Sequence, residues 1–527
     1  MKIRSAGLLT AAIALSSLLA ACGGGSTPTS TSSQAGGGTL VIDTAFQLKT
    51  ADPGRMFEPT GLMVDEPIYD TLLTFKGSDV TKPVPALAES YTAAPDGKTF
   101  TFKLRTGATF SDGSPVTSAD VVFSLNRVKN LKGNPSFLMD GLTVAAPDPG
   151  TVVITSEKAN AAVPFILPNP ALGILNSAVA KQHGATDAEG ADKSDTAESF
   201  LNSQSLGSGP YTLSSFSTTT QVVLTANEKY WGTKPAYSKV VVRNVQANVQ
   251  RLNVLKGESQ IAVDLSPDQA KGLDQLQVVN GASPNVFFLF TNNNPDISKT
   301  SSNAKFQEAV RYGIDYKGLL DLAGQGAVQA PGIVPSIFLG ALADTDAVVR
   351  DVARAKAALA ASGVQNPTVK LSYPSDIQVN GLNFGDLAAR VQANLKEVGI
   401  TVNLAPASVQ TALDTYRGGK EELGLWEWGP DYPDPSDYLN FLPGQLVGLR
   451  AGWAKGADAA LEKLGEQAAS TIDDQQRAAL YKQIQQSMNE SGPIMPLIQP
   501  AQILVGAKSL KNLQSNALWQ VNVRELG

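Results

Sequence analysis

Apolar and polar positions follow the period of a strand in some segments of the chain and the period of a helix in others. An apolar run over 39–46 predicts a first strand. Over 100–104 apolar and polar residues alternate, which predicts a half-buried strand after a turn at 96–97. Apolar residues three and four apart then predict a helix capped by Ser118, and these residues are Val121, Val122, Leu125 and Val128.

Two later segments carry the same helical spacing. The apolar face of 346–363, which Gly363 ends, consists of Val348, Val352, Ala355 and Leu359. The apolar face of 385–398, which Gly399 ends before a further strand, consists of Leu387, Val391, Leu395 and Val398. The segment 65–75 predicts a short helix that runs into a strand. Helices and strands in alternation predict an α/β fold.

Length and composition narrow the class of protein. The chain has 527 residues, and since one hydrophobic core stops growing at roughly 250–300 residues, at least two domains are expected. The net charge is −6 and no basic cluster is present, so we expect no nucleic-acid partner. The single cysteine, Cys22, excludes an intramolecular disulfide and any CxxC metal or redox site.

The first residues have the pattern of a targeting segment. Lys2 and Arg4 precede a mostly apolar stretch that is shorter than the roughly 20 residues of a membrane span. The stretch ends in LAAC, which resembles the bacterial lipobox, so we expect a lipoprotein signal peptide over 1–21 and lipid attachment to Cys22. A Gly-, Ser- and Thr-rich tether is expected over 22–38. The mature protein is then expected on the outer face of the bacterial cytoplasmic membrane, at the cell surface or in the periplasm of a cell with an outer membrane.

The stretch WEWGPDYPDPSDYL, at 426–439, combines aromatic, acidic and proline residues. Its prolines fix φ and remove backbone donors, so it predicts a stiff irregular loop and excludes a helix interior or a central strand. Its rings and carboxylates can line a pocket for a cationic or amide-rich ligand. A turn whose tryptophans pack in the core is the alternative. Asp434 and Asp437 suit caps of turns or of the following helix better than calcium ligands, because they lack EF-hand spacing.

Several blocks of sequence, in order, carry a family resemblance. The longest is SYTAAPDGKTFTFKLRTGATFSDGSPVTSADVVFSLNRV at 90–128. The others are GSGPYTLSSF at 207–216, NEKYWGTKP at 227–235, KFQEAVRYGIDYKGLL at 305–320, GQGAVQAPGIVP at 324–335, WGPDYPDPSDYL at 428–439 and the segment 473–497. With these blocks the chain, from Thr39 to its last residue, resembles the bacterial extracellular solute-binding proteins of family 5, which serve ABC importers of the peptide, oligopeptide and nickel type.

The resemblance implies an α/β fold of two lobes, a periplasmic-binding-protein-like flytrap of type II, cluster C. Lobe I is expected over 39–73, 205–284 and 498–527, with an extra subdomain inserted over 74–204. Lobe II is expected over 285–497. A hinge is expected where the chain passes between the lobes, near Pro284 and Ile498.

The resemblance also implies a function and a site. It implies a substrate-binding component, a monomer, that captures short peptides between its lobes and delivers them to the transmembrane permease subunits of an ABC importer. In peptide-binding members, the aspartate that opens a DYPDP-like block binds the α-ammonium group of the ligand, and that residue here is Asp431. Trp428, Gly429 and Tyr432 are then expected to line the same wall, with Trp426 as a further contact. A turn or hinge carboxylate is the structural alternative for Asp431.

Residues for catalysis are missing from the sequence. His183 is the only histidine and lies in a polar run, so we interpret it as a solvated loop residue and expect no Ser-His-Asp or Cys-His site. The chain has no HExxH, Walker A or GxGxxG motif, so neither a metal nor a nucleotide cofactor is expected. The chain is therefore interpreted as a binding protein and not an enzyme. The alternatives are an oligosaccharide or another polar solute as ligand, an extracellular hydrolase, or a signalling receptor on the same scaffold.

Overall fold

The computed structural model describes residues 37–527. The predicted signal peptide, Cys22 and all but the last two residues of the predicted tether lie outside the described residues. Within 37–527 no helix has the length and apolar character needed to cross a membrane.

A seven-stranded sheet is built from three separate parts of the chain. Its central strand, Thr39–Thr44, is the predicted first strand and runs parallel to two neighbours, Lys239–Asn244 and Ile261–Ala262. Leu40 and Ile42 are fully buried, as expected for a strand whose apolar face is covered by other elements of the fold. In spatial order the strands are Gln277–Ala282, Ala501–Gly506, Ile261–Ala262, Thr39–Thr44, Lys239–Asn244, Gln221–Ala226 and Tyr211–Ser215.

A six-stranded sheet forms the second large layer. Its strands are, in spatial order, Val328–Gln329, Ile494–Gln499, Val286–Thr291, Leu423–Trp428, Thr368–Pro374 and Thr401–Ala407. The predicted αβ unit is present, because the helix Phe384–Val398 ends at Gly399, whose φ is 103°, and the strand Thr401–Ala407 follows. Leu387, Val391 and Leu395 of that helix are fully buried in the core beside the sheet.

A four-stranded antiparallel sheet is made of consecutive chain between 88 and 156. Its strands are, in spatial order, Ala88–Ala93, Thr99–Leu104, Thr151–Ser156 and Leu142–Asp148. The predicted strand after the Asp96-Gly97 turn is therefore confirmed. The helix Ser118–Leu131 packs beside this sheet, but its cap is Thr117, which shares a capping box with Asp120, and not Ser118. That the segment 74–204 is an inserted subdomain stays a prediction.

The remaining elements surround these three sheets. The α-helices are Pro59–Asp65, Ser118–Leu131, Val163–Ile166, Ser177–Gln182, Ala191–Ser194, Glu198–Leu201, Ala247–Lys256, Ala304–Gly313, Tyr316–Ala323, Val352–Ala361, Phe384–Val398, Val409–Arg417, Leu446–Arg450, Ala459–Ser470 and Asp474–Ser491. The 3₁₀ helices are Asn134–Met139, Pro170–Leu172, Asp344–Asp346, Pro435–Phe441 and Val523–Glu525. Three hairpins complete the fold, namely Leu73–Lys76 with Asp79–Pro85, Gln378–Val379 with Leu382–Asn383, and Ser515–Asn516 with Gln520–Val521.

Two predicted helices have different bounds in the structure. The helix predicted to begin at 65 instead ends there, as Pro59–Asp65, because Pro67 lacks the N–H that a continuing helix needs. The helix predicted over 346–363 begins only at Val352, after its cap Asp351. Val348 therefore precedes the helix and packs against the core from a loop.

The chain passes between the two large sheets twice, at adjacent places. It leaves the seven-stranded sheet at Ala282 and enters the six-stranded sheet at Val286, and it returns after Gln499 to start the strand Ala501–Gly506. The two crossings are bonded to each other, since the Ser283 N–H donates to the carbonyl of Pro500 at 3.2 Å. The Gln499 side-chain amide also donates to the Ser283 carbonyl at 2.8 Å. The lobe boundaries and the hinge stay predictions.

Candidate functional site

One edge of the six-stranded sheet collects the features that define the candidate site. Three strands run parallel and so end at this edge, namely Thr368–Pro374, Thr401–Ala407 and Leu423–Trp428. The antiparallel strand Val286–Thr291 begins there, because Val286 pairs with Trp428. The loop after Trp428 and the first crossing therefore lie together, at the carboxyl ends of the parallel strands where open α/β sheets bind their ligands.

The stretch 426–439 is only partly the loop that its prolines predict. Residues 426–428 end the strand Leu423–Trp428, which lies between two neighbours in the sheet, so the exclusion of a central strand was wrong for these three residues. The physical reason is position, because the first proline, Pro430, comes two residues after the strand ends. A loop follows, and then the 3₁₀ helix Pro435–Phe441, whose first turn is capped by the Asp434 side chain.

Trp426 lies in the core at the end of this strand. The residue is 5% exposed, and its ring stacks on Tyr416 with a ring-centroid distance of 4.4 Å. Its indole N–H donates to the Glu421 carboxylate at 2.7 Å, while burial raises the pKa of Glu421 to about 7. These contacts describe a packed core residue, and the ligand contact expected for Trp426 stays a prediction.

Asp437 joins Trp428 to the loop. Its Oδ2 atom accepts the indole N–H of Trp428 at 3.0 Å and the backbone N–H of Asp431 at 3.2 Å. Trp428 is half-buried and meets Phe441 edge-to-face, with ring centroids 5.5 Å apart. The Asp437 side chain thus fixes both the ring of Trp428 and the peptide N–H of Asp431, the residue that is expected to bind the ligand.

The acidic residues of the loop differ in whether a cationic side chain lies beside them. Asp434 is neutralised by Arg477, whose Nη2 atom lies 2.7 Å from each carboxylate oxygen. Burial raises the pKa of Asp431 to about 6, and within residues 37–527 no cationic side chain counteracts that shift. Burial, followed by the negative charge of Asp431, also raises the pKa of Asp437 well above its ordinary value. The Asp431–Asp437 pair is therefore an acidic position with no cation of its own among the described residues.

Gly429 and Tyr432 bring the loop close to other parts of the chain. Gly429 is exposed, and a Cβ at this position would lie 2.6 Å from Oδ1 of Asn285 in the first crossing. The Tyr432 ring packs against the core of the four-stranded sheet. Next to it, the Asn169 side-chain amide donates to the backbone carbonyl of Asp431 at 3.3 Å. The loop after Trp428 thus touches the segment 74–204 directly.

Glu427 lies at the same edge but on the other face of the sheet from the two tryptophans. The flanking residues Trp426 and Trp428 pack in one core, whereas Leu425 and Phe287, which pairs with Glu427, pack in the other. Burial raises the pKa of Glu427 to about 7, and its Oε2 atom is buried without a hydrogen-bond partner among the described residues.

His183 is an exposed residue of the segment 74–204 and belongs to no strand of the six-stranded sheet. It follows the helix Ser177–Gln182, and its ring stacks on Phe200 at a centroid distance of 3.6 Å.

Sequence reasoning does not identify Asn169 as part of the site, and it gives Asp437 only a capping role. The one local signal for Asn169 is its place between Pro168 and Pro170, which fixes the backbone on both sides. No local signal shows that this segment meets a loop 262 residues further along the chain.

Two α/β lobes joined by two adjacent crossings, with an acidic and aromatic loop at the sheet edge, define a solute-binding protein of the periplasmic type. The chain belongs to the bacterial extracellular solute-binding proteins, family 5, because the model of the middle part of that family matches residues 82–446. The family resemblance seen in the sequence is therefore confirmed.

Curated relatives are similar over nearly their whole length. The chain is 31% identical to the probable D,D-dipeptide-binding periplasmic protein DdpA of Escherichia coli (strain K12), and the match covers 91% of this chain and 92% of the relative. It is 28% identical to di/tripeptide-binding protein 2 of Pseudomonas aeruginosa (strain UCBPP-PA14), covering 88% and 90%. The family and these relatives are binding proteins, not enzymes.

Solved structures have the same fold. The substrate-binding protein CtaP of Listeria monocytogenes matches with a TM-score of 0.80 at 20% identity, covering 93% of this chain and 99% of that chain. DppA of Helicobacter pylori, in complex with the peptide STSA, matches with a TM-score of 0.75 at 22% identity, covering 93% and 98%. The predicted two-lobed α/β fold is confirmed.

Proposed function

We propose that this protein binds short peptides between its two lobes and delivers them to the permease of an ABC importer. The observation that carries the proposal is Asp431, an acidic side chain at the carboxyl end of the sheet with no cationic partner among residues 37–527. The names of the relatives support the same ligand class, since those cited above are binding proteins for dipeptides or for di- and tripeptides.

A peptide has the group that Asp431 needs. A free α-ammonium group can donate charge-assisted hydrogen bonds to the carboxylate, and these bonds are stronger when water is excluded from the cleft. The bound ammonium also removes the cost of holding a carboxylate in a partly buried place without a counter-charge. Trp428 and Tyr432, close neighbours of Asp431 in the sequence, supply flat apolar surface. Gly429 lets the loop lie close to Asn285, because a Cβ there would lie 2.6 Å from Oδ1 of Asn285.

Capture of the peptide then depends on the two lobes approaching each other and closing around it. A ligand that binds the closed form better than the open form shifts the population toward the closed form, by an amount set by the difference in affinity. We propose that the two bonded crossings, at 283–285 and at Pro500, act as the hinge, and that the closed monomer docks on the permease. Lipid attached to Cys22 would keep the protein on the outer face of the cytoplasmic membrane.

The proposal is tested by calorimetry with short peptides and the variant Asp431→Asn. The wild type is expected to bind peptides with a free α-amine and to lose that binding when the amine is acetylated. Asp431→Asn is expected to weaken the same peptides by about 3 kcal/mol, because the ammonium would be buried without its counter-charge. The matched control is Asp268→Asn, which removes an exposed acid of a surface ion pair and should leave affinity unchanged.

Native mass spectrometry of the wild type gives an independent check on ligand class. Adducts at a spread of peptide masses would support the proposal, whereas a single carbohydrate mass would contradict it. Equal peptide affinity of Asp431→Asn and the wild type would rule out the ammonium contact and leave Asp431 as a structural acid.

A further inference from the structure

Asn169 has a fixed conformation in the part of the segment 74–204 that contacts the loop. It lies between Pro168 and Pro170, with φ −62° and ψ 125°, the extended conformation that a following proline favours. The residue is 1% exposed, and its Oδ1 atom accepts the Ala171 N–H at 3.0 Å, which caps the 3₁₀ helix Pro170–Leu172. The cap fixes the side-chain rotamer, so the Nδ2 atom has one direction in which to donate.

That donor reaches the backbone of Asp431 from a segment that is distant in the sequence. The Asn169 Nδ2 atom lies 3.3 Å from the Asp431 carbonyl oxygen. The Asp431 N–H is bonded to Asp437, which belongs to lobe II as Asp431 does. The two peptide groups that flank the Asp431 Cα are thus held by different parts of the fold, one by its own lobe and one by the segment 74–204.

The two hydrogen bonds make different demands on the arrangement of the lobes. The bond to Asp437 lies within one short stretch of lobe II and needs no contact with the other lobe. The bond to Asn169 needs the loop and the segment 74–204 to lie together. The packing of Tyr432 against the core of the four-stranded sheet makes the same demand.

We infer that Asn169 is a positioning residue, which ties the backbone of the ligand-binding aspartate to the opposite wall and so slows ligand release. The inference rests on the proposed function, since it takes Asp431 as the ligand contact. A ligand that holds the Asp431 side chain in place also holds the carbonyl group that Asn169 bonds. Ligand and Asn169 therefore stabilise the same closed arrangement, and removing the amide donor should speed opening without changing the first encounter.

The test uses two variants that keep the cap and lose the donor. Asn169→Ser retains an oxygen that can cap the 3₁₀ helix but is too short to reach Asp431. Asn169→Asp keeps the size and the cap and replaces the donor by an acceptor. Each is expected to raise the dissociation rate of a short peptide about five-fold or more, with the association rate unchanged, as the loss of one buried hydrogen bond implies.

The matched control is Asn176→Ser in the same part of the chain. Asn176 also caps a helix, through the Val179 N–H at 3.2 Å, and its amide donates to Asp112 at 2.9 Å, away from the loop. This variant is expected to lower thermal stability without changing the dissociation rate. Stopped-flow kinetics of a fluorescent peptide, with melting curves of each unliganded variant, separates the two effects.

The outcomes distinguish the inference from the function on which it rests. Absence of peptide binding by the wild type would overturn the proposed function. Binding by the wild type, with dissociation rates of both Asn169 variants equal to the wild-type rate, would overturn the role of Asn169 alone. A slower association rate with an unchanged dissociation rate would also overturn it, because the bond would then act before closure.

Discussion

At the scale of single residues, acids within one short stretch meet very different surroundings. Asp434 has a guanidinium partner, Asp437 accepts two N–H groups, and Asp431 has no cation of its own among the described residues. Glu427 has the least favourable surroundings of these acids, because one of its carboxylate oxygens is buried without a hydrogen-bond partner among the described residues. A buried carboxylate without a counter-charge favours its protonated form, so Asp431 and Glu427 lose their protons at a higher pH than an exposed acid does.

Ligand affinity should therefore fall in acid. The pKa of Asp431 in the empty site is about 6, and a bound ammonium lowers that pKa by favouring the charged form. Affinity is expected to be nearly constant between about pH 6 and pH 7, where the peptide amine is still protonated, and to fall toward ten-fold per unit below pH 6, since the ligand must then displace a proton. Calorimetry from pH 8 to pH 5 would measure this fall. An affinity that rises toward pH 5 would contradict the prediction.

Glu427→Gln should change how stability depends on pH. The pKa of Glu427 is about 7 in the fold, against an ordinary value of 4.5. Because the folded state holds this proton more tightly than the unfolded state, the free energy of unfolding falls as pH rises between these two values. The neutral amide removes this loss, so Glu427→Gln is expected to be more stable than the wild type by about 1–3 kcal/mol at pH 8 and nearly equal at pH 4.5.

Urea unfolding of both proteins at the two pH values measures the difference. Glu397→Gln is the matched control, because Glu397 is exposed and forms only a surface pair with Arg350. A variant that is less stable than the wild type at pH 8 would show that Glu427 is held as a charged group.

At the scale of elements, one buried ion pair joins the loop to the long helix Asp474–Ser491. Arg477 is on the first turn of that helix, and Asp434 caps the 3₁₀ helix Pro435–Phe441. Their side chains are 2% and 1% exposed, so neither charge is screened by solvent. The pair places the 3₁₀ helix, and with it Asp437, against the helix Asp474–Ser491.

Removing only the arginine of this ion pair should lower the free energy of unfolding. Arg477→Met leaves Asp434 buried without its partner, and we expect a loss of roughly 3–5 kcal/mol in the free energy of unfolding. The double variant Asp434→Asn with Arg477→Met removes both charges and is expected to lose less. Urea unfolding of the wild type, the single variant and the double variant tests this order. A double variant that loses as much as or more than Arg477→Met would contradict the prediction that unpaired Asp434 carries the cost.

Elements with local patterns could be predicted from the sequence, and those that depend on distant partners could not. The helix Phe384–Val398 carries its apolar face and its terminal glycine within its own residues. The burial of Trp426 depends on pairing with the strand Val286–Thr291, which no residue near Trp426 encodes. The bond between Asn169 and Asp431 joins residues 262 apart in the chain, so only the folded structure reveals it.

At the scale of the whole molecule, the two crossings define how the lobes are connected. Both pass the same place, and each is bonded to the other by the Ser283 peptide group. If these crossings act as the proposed hinge, a few residues in two short connections would absorb the rotation that closes the lobes around a ligand. The site loop lies at the same end of the six-stranded sheet, so a small rotation there would change the distance between the loop and the segment 74–204.

Membrane attachment is expected to depend on one atom outside the described residues. Cys22→Ser removes the sulfur to which lipid would be attached, and the mature protein should then appear in the soluble fraction. Cell fractionation and mass spectrometry of the N-terminal peptide measure the change. Peptide affinity of the released protein should equal that of the anchored wild type. Membrane retention of Cys22→Ser would exclude lipidation as the anchor.

The strand Ala501–Gly506 lies inside the seven-stranded sheet, between Gln277–Ala282 and Ile261–Ala262. The ribosome makes this strand after every strand of the six-stranded sheet, so the sheet that is started first cannot be completed until the other sheet has been made. Until residues 501–506 emerge, the seven-stranded sheet has a gap in its interior and two of its strands lack a neighbour. Completion of this sheet is therefore expected to follow synthesis of the six-stranded sheet, although its central strand, Thr39–Thr44, is made before any strand of the other.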